Sequence, residues 1–142
     1  MPLLAVHLAA VWFCTGLVWV VQVLVYPGFA GIDRGAFVEW HDRHTRLMSY
    51  VVSGPWAVQG VTTAVLLVRR PEGVPFWLAA LAGVCGAATV VVTVLVSVPC
   101  HQRLSRGYDD EVLARLVRTN WWRVLAWTAG GVVAGVMVLV AA

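Results

Sequence analysis

The apolar residues of this chain fall into four long blocks, at residues 3–25, 47–68, 74–98 and 124–142. At about 1.5 Å per residue, a helix of about 20 residues crosses the roughly 30 Å hydrocarbon core of a bilayer. Polar segments at residues 28–46 and 100–123 separate the blocks of each half, and a short turn joins the halves. The pattern predicts an all-α integral membrane protein. Residues 1–142 would form one four-helix bundle made of two helical hairpins.

Composition supports a membrane protein rather than a water-soluble one. The chain is 61% hydrophobic and only 12% charged, whereas a soluble domain carries about 25% charged residues. All ten basic residues are arginines. They lie beside the spans, which predicts contact with lipid head groups and no role in nucleic-acid binding.

The arginines also predict an orientation. Eight of them lie in the two polar segments, and only Arg69 and Arg70 lie in the turn between the halves. The four spans predict a multi-pass protein of the cell membrane. Because cytoplasmic loops carry an excess of basic residues, the polar segments would be cytoplasmic and both termini would lie outside.

Uncommon residues recur at an offset of 72 positions. The matching pairs are Pro27 and Pro99, Arg34-Gly35 and Arg106-Gly107, Glu39 and Glu111, Arg43 and Arg115, and Arg46 and Arg118. One interpretation is duplication of a two-span unit, which predicts halves related by a pseudo-twofold axis along the membrane normal. The other is that two short connectors have acquired similar charge patterns independently.

The densest polar cluster, residues 39–46, predicts a candidate site. If this region is helical, His41 and His44 share one stripe with Met48 and Gln59, because successive residues turn by about 100°. Two imidazoles in that arrangement can serve one metal or one substrate. Alternatively, they form hydrogen bonds across the bundle or to lipid phosphates.

The second polar segment repeats this pattern. Asn120 lies on the apolar stripe of a helix that starts near Asp109, and Arg123 lies at the edge of that stripe. In the repeat register Asn120 corresponds to Met48. We therefore expect His41, His44 and Asn120 to face one shared cavity, which Gln22 and Tyr26 of the first span would also line. The alternative for Gln22 and Tyr26 is a set of packing hydrogen bonds.

A metal site is a further hypothesis. His101 follows Pro99 at the foot of the third span, so His41, His44 and His101 would provide three nitrogens of the kind that suits zinc, copper or iron. A bis-histidine haem would instead need His101 or His7 as the second ligand. No carboxylate lies on either stripe, and the spacing fits no standard metal motif. The cofactor therefore stays open between a transition metal and none.

Short motifs resemble a known family. The sequence Pro99-x-His101-x-x-Leu104, an acidic helix start, and Asn120-Trp121-x-Arg123 are similar to the anthrone oxygenase-like family of small four-span membrane proteins. Asparagine is typical of that family where this chain has His101. The resemblance implies oxidation of an aromatic polyketide by molecular oxygen. Arg123 and Asn120 would then stabilise an enolate or phenolate oxygen, and a histidine would act as general base.

The sequence thus predicts an intramembrane oxidoreductase acting on a lipophilic small molecule. His41, His44, Asn120 and Arg123 would be catalytic. The expected substrate-binding residues are Gln22, Tyr26, Met48, Gln59 and Trp121.

Two other functions stay open. The chain could be a non-catalytic accessory protein that binds haem, a metal or a partner helix, and it could form a homo-oligomer. A transporter is disfavoured, because all seven acidic residues lie outside the spans.

Overall fold

The computed structural model describes residues 1–142 and contains four long helical segments and no strand. These are α1 (Pro2–Gly31), α2 (Phe37–Val68), α3 (Phe76–Leu104) and α4 (Asp110–Val140). Each is long and apolar enough to cross a membrane. The predicted all-α four-helix membrane bundle is confirmed.

The helices extend beyond the apolar blocks on one side. α2 begins at Phe37 rather than at residue 47, and α4 begins at Asp110 rather than at residue 124. The Asp109 side chain caps α4 by accepting hydrogen bonds from the backbone N–H groups of Glu111 and Val112. A helix of about 30 residues is about 45 Å long. Since the hydrocarbon core measures about 30 Å, the polar ends protrude from it together.

α1 and α3 continue through Pro27 and Pro99, which lie just beyond the apolar blocks at residues 3–25 and 74–98. Each contains a π-helical turn, Val21–Val25 and Thr93–Ser97, shortly before Pro27 and Pro99. Proline lacks an N–H group, and its ring clashes with the carbonyl group four residues earlier. A wider turn gives the ring room, so the helix continues.

The two halves have matching elements. The π-helical turns begin at Val21 and Thr93, and α2 and α4 end at Val68 and Val140, so both pairs have the sequence offset of 72. The second half therefore repeats the elements of the first. Duplication and the pseudo-twofold axis stay predictions.

Packing between the helices is uneven. α4 packs closely against α1 and α3, and α1 packs against α2. Among the helices that pack side by side, α2 and α3 make the sparsest contacts. One apolar cluster, which includes Leu66, Leu78 and Met137, closes the bundle near the short turn. A second, which includes Phe29 and Leu116, closes it at the polar ends. The space between α2 and α3 is therefore the most open part of the bundle.

Two glycines are required by close approach. Gly73, in the turn between the halves, has a φ of 80°, and a Cβ there would lie 2.5 Å from the Val140 carbonyl oxygen. Gly131 lies against the Trp12 ring, where a Cβ would come within 3.0 Å of a ring carbon. The missing side chain of Gly131 thus lets α4 approach the Trp12 ring of α1 closely.

The two polar connectors also contact each other. The Arg34 guanidinium lies 3.4 Å from the centre of the Tyr108 ring, a cation–π contact. The hydrogen bond that Tyr108 donates to Asp110 raises the pKa of its phenol. These contacts join the start of α2 to the start of α4.

Candidate functional site

A cavity of about 440 Å³ lies inside the polar half of the bundle and is bordered by all four helices. Its apolar wall includes Cys14, Leu17, Val18, Val52, Trp56 and Trp127, and its polar groups include Tyr26, His44, His101, Ser105 and Arg123. Ser49, Val98 and Gln102 border the cavity and are also exposed on the outside of the bundle. The cavity therefore opens sideways between α2 and α3.

The depth of the cavity follows from helix length. About 20 helical residues span the hydrocarbon core. Counted from the ends of the helices near the short turn, this length reaches about Gln22, Met48 and Asn120. Trp56 and Trp127 then lie within the hydrocarbon, whereas His101 and Ser105 lie at head-group depth. The cavity suits an amphiphile whose apolar body is in the core and whose polar group is at the interface.

Arg123 is held in place by two buried amides. Its Nη1 donates to Asn120 Oδ1 at 3.1 Å, and Asn120 Nδ2 donates to Gln22 Oε1 at 2.8 Å. Gln22 Nε2 in turn donates to the Val117 carbonyl oxygen at 3.2 Å. Because both amides are themselves hydrogen-bonded, they fix the guanidinium at the cavity wall.

No carboxylate neutralises Arg123. The two ion pairs in the structure join His41 to Asp42 and Arg103 to Asp109. Arg123 Nε is buried without a hydrogen-bond partner, and the guanidinium carbon lies 5.2 Å from the centre of the Trp127 ring. A charge near the hydrocarbon core is costly unless it is paired. The arrangement therefore suits a ligand that brings an anionic oxygen.

A second group of polar side chains links the cavity to the polar face. The Tyr26 hydroxyl lies 3.1 Å from His101 Nε2, and His101 Nδ1 lies 3.0 Å from His41 Nε2. Ser105 Oγ lies 3.2 Å from His41 Nδ1. Tyr26 and His101 line the cavity, whereas His41 is fully buried behind them. Tyr26, His101 and Ser105 are thus the members of this group that a ligand can reach.

Packing against two aromatic rings holds His44 at the border of the cavity. Its ring stacks on Trp40, one turn earlier in α2, with the planes 3° apart. The Phe29 ring meets it edge-on, with ring centres 5.1 Å apart. These contacts hold the His44 ring at the border of the cavity.

Five of the predicted site residues border the cavity: Tyr26, His44, Met48, His101 and Arg123. Five others lie elsewhere, namely His41, Asn120, Gln22, Gln59 and Trp121. His41, Asn120 and Gln22 stand behind the lining groups and hydrogen-bond to them or to one another. Helical periodicity gives the direction of a side chain but not which neighbour stands in front of it.

Gln59 and Trp121 have different surroundings from those predicted. Gln59 Oε1 accepts a hydrogen bond from Trp127 Nε1 at 2.9 Å, so the glutamine holds the ring that forms the cavity wall. Trp121 is exposed on the outside, edge-on to Trp19 with ring centres 5.6 Å apart. That position is typical of an aromatic belt at the membrane interface.

Sequence reasoning missed Ser105 and Trp127 as lining residues. Ser105 carried no signal, because a serine beside a turn is common on protein surfaces. Trp127 lies on the same predicted stripe as Asn120, and that placement could have identified it.

The predicted metal set is not assembled. No group of three or more His, Cys, Asp or Glu side chains is placed to hold a metal ion. The facing nitrogens of His41 and His101 are at hydrogen-bond distance and point at each other rather than at a common centre. His7, the other haem-ligand candidate, instead contacts Thr62 Oγ1 through Nδ1 at 2.8 Å.

No family model, curated protein or solved structure matches this chain. The resemblance to the anthrone oxygenase-like family therefore stays a prediction.

Proposed function

We propose that the protein is an intramembrane oxidoreductase that acts on a lipophilic aromatic molecule with an acidic oxygen. The observation that carries this proposal is the uncompensated Arg123 guanidinium at the wall of an otherwise largely apolar cavity. The sideways opening between α2 and α3 lets such a molecule enter from the bilayer.

In this proposal Arg123 binds the oxygen on which negative charge develops. A fixed cation in a low-dielectric site stabilises a phenolate or enolate more strongly than water does, since it needs no reorganisation during the reaction. Asn120 and Gln22 are positioning residues, because they hold the guanidinium and do not reach the cavity.

Tyr26 and His101 supply acid–base chemistry. The Tyr26 hydroxyl faces His101 Nε2, so a proton taken up at the phenol oxygen can be balanced by one passed to the imidazole. The roles first assigned to His41 and His44 change accordingly. His44 contacts the ligand from the side, and His41 acts from behind His101.

The family resemblance suggests the reaction. An anthrone loses a proton from the methylene carbon between its rings, and the enolate oxygen would lie beside Arg123. Molecular oxygen is the oxidant. One anthrone and one O₂ give one anthraquinone and one water.

Oxygen uptake with anthrone tests the proposal. Purified protein in nanodiscs should consume O₂ and form anthraquinone faster than protein-free nanodiscs do. Arg123→Gln should lower the rate by roughly a hundredfold, the usual effect of removing one oxyanion-stabilising group. Arg118→Gln is the matched control, because Arg118 is exposed on the same helix and does not border the cavity. A wild-type rate equal to that of protein-free nanodiscs, or an undiminished rate in Arg123→Gln, would contradict it.

We also propose that the protein resides in the cell membrane with its polar helix ends in the cytoplasm. The excess of arginine at that end supports this orientation. All three native cysteines are buried, which gives a low background for thiol labelling. In intact cells a membrane-impermeant maleimide should label Glu72→Cys, and it should label Glu39→Cys only after lysis. The reverse pattern would invert the orientation.

A further inference from the structure

The polar contacts behind the cavity continue as far as the polar surface. His41 Nδ1 lies 3.2 Å from Ser105 Oγ and 3.7 Å from an Asp42 carboxylate oxygen. The Asp42 side chain is 52% exposed. We propose that Tyr26, His101 and His41 form a proton conduit between the cavity and water, with Asp42 as its outer end and Ser105, which also borders the cavity, as the other partner of His41 Nδ1.

The connectivity fits proton transfer. A neutral imidazole has one donor and one acceptor nitrogen, so it can take a proton on one side and release one on the other. Both nitrogens of His101 and both nitrogens of His41 face another polar group of the chain. No ring nitrogen in the conduit is left without a partner.

The transfer can be written step by step for the tautomers that carry hydrogen on Nδ1. The ligand gives its acidic proton to the Tyr26 oxygen as the Tyr26 proton passes to His101 Nε2. The His101 Nδ1 proton passes to His41 Nε2. The His41 Nδ1 proton then passes to the Asp42 carboxylate, 3.7 Å away, and leaves to water. One proton crosses, Tyr26 and both imidazoles end neutral, and the ligand keeps the negative charge beside Arg123.

Aromatic rings separate the proton path from lipid. Phe37 stacks on His41 with ring centres 5.6 Å apart, and Phe29 meets it edge-on at 5.7 Å. Phe29 and Phe37 are fully buried. These rings separate His41 from lipid, so its polar neighbours in the structure are His101, Ser105 and Asp42.

A structural role for the two imidazoles has a different consequence. A His41–His101 hydrogen bond could simply tie α2 to α3. Proton exchange between the imidazoles and water would then follow breathing of the helices and would not depend on Asp42 or Ser105. In a conduit, the two partners of His41 Nδ1, Asp42 and Ser105, control the exchange rate.

Nitrogen NMR of the ligand-free protein in nanodiscs separates the two roles. With ¹⁵N-labelled histidine, we expect scalar coupling between His101 Nδ1 and His41 Nε2 across their hydrogen bond. Exchange of the imidazole N–H protons with water should slow at least about tenfold in the double variant Asp42→Asn/Ser105→Ala. Glu39→Gln, exposed on the same helix, is the matched control and should exchange at the wild-type rate.

An unchanged exchange rate in the double variant, or no coupling between the two nitrogens, would overturn the conduit. The inference rests on the proposed function for its purpose, because the proton it carries comes from the ligand. Its test uses no ligand. A negative exchange experiment would therefore leave the proposed Arg123 site unaffected. A negative anthrone oxidation assay would leave the exchange result valid.

Discussion

At the residue scale, the buried amides Asn120 and Gln22 show how polar groups are accommodated inside the bundle. Each is at most 4% exposed, and each has its hydrogen-bond partner on another helix or on Arg123. Unpaired polar groups in a membrane are costly, whereas paired ones contribute only modestly to stability. The amide pair therefore matters mainly for the position of Arg123.

Breaking the pair from one side should cost more than removing it. Asn120→Leu leaves Gln22 Oε1 without its donor and should lower the free energy of unfolding by about 1–3 kcal/mol. The double variant Gln22→Leu/Asn120→Leu should cost less than the sum of the single variants. Denaturant unfolding in detergent measures all three. Thr119→Ala is the control, since that hydroxyl bonds to its own helix at the Arg115 carbonyl. Strictly additive losses would contradict a coupled pair.

Residue types and spacing predicted the cavity-facing positions only where the side chain has a clear path to the interior. Tyr26 and Arg123 met that condition, but His41 did not, because His101 lies between it and the cavity. The link between the two histidines joins residues 60 positions apart. No local pattern contains such a pairing.

At the element scale, the number and order of helices followed from hydropathy, but their bounds did not. Hydropathy reports which residues tolerate lipid, and a helix can continue into water if its charges are solvated. Glu39 and Arg43 illustrate this, since they are exposed one turn apart on the protruding end of α2. Pro27 and Pro99 do not end their helices either, because the π-helical turns at Val21–Val25 and Thr93–Ser97 give the rings room.

The π-helical turns also shape the site. The first ends immediately before Tyr26, and the second contains Thr93 and Ser97, both of which border the cavity. A widened turn changes the direction of the side chains that follow it by a fraction of a turn. The same irregularity that accommodates each proline thus helps to set the directions of Tyr26 and His101.

At the scale of the whole molecule, the two halves share their elements but not their chemistry. In the repeat register His101 corresponds to Phe29, and both rings contact His41. Asn120 likewise corresponds to Met48. These two positions are therefore polar in the second half and apolar in the first.

The account depends most on the claim that this cavity binds a lipophilic molecule with an acidic oxygen. Calorimetric titration of the protein with 1-naphthol, compared with naphthalene, tests the claim directly. The wild type should bind 1-naphthol more tightly than naphthalene. Val52→Trp fills the cavity and should weaken binding of 1-naphthol by at least about tenfold, or about 1.4 kcal/mol. Val58→Trp, on the exposed face of the same helix, should retain wild-type affinity. Equal affinity of Val52→Trp and wild type, or no preference for the hydroxyl, would contradict the account.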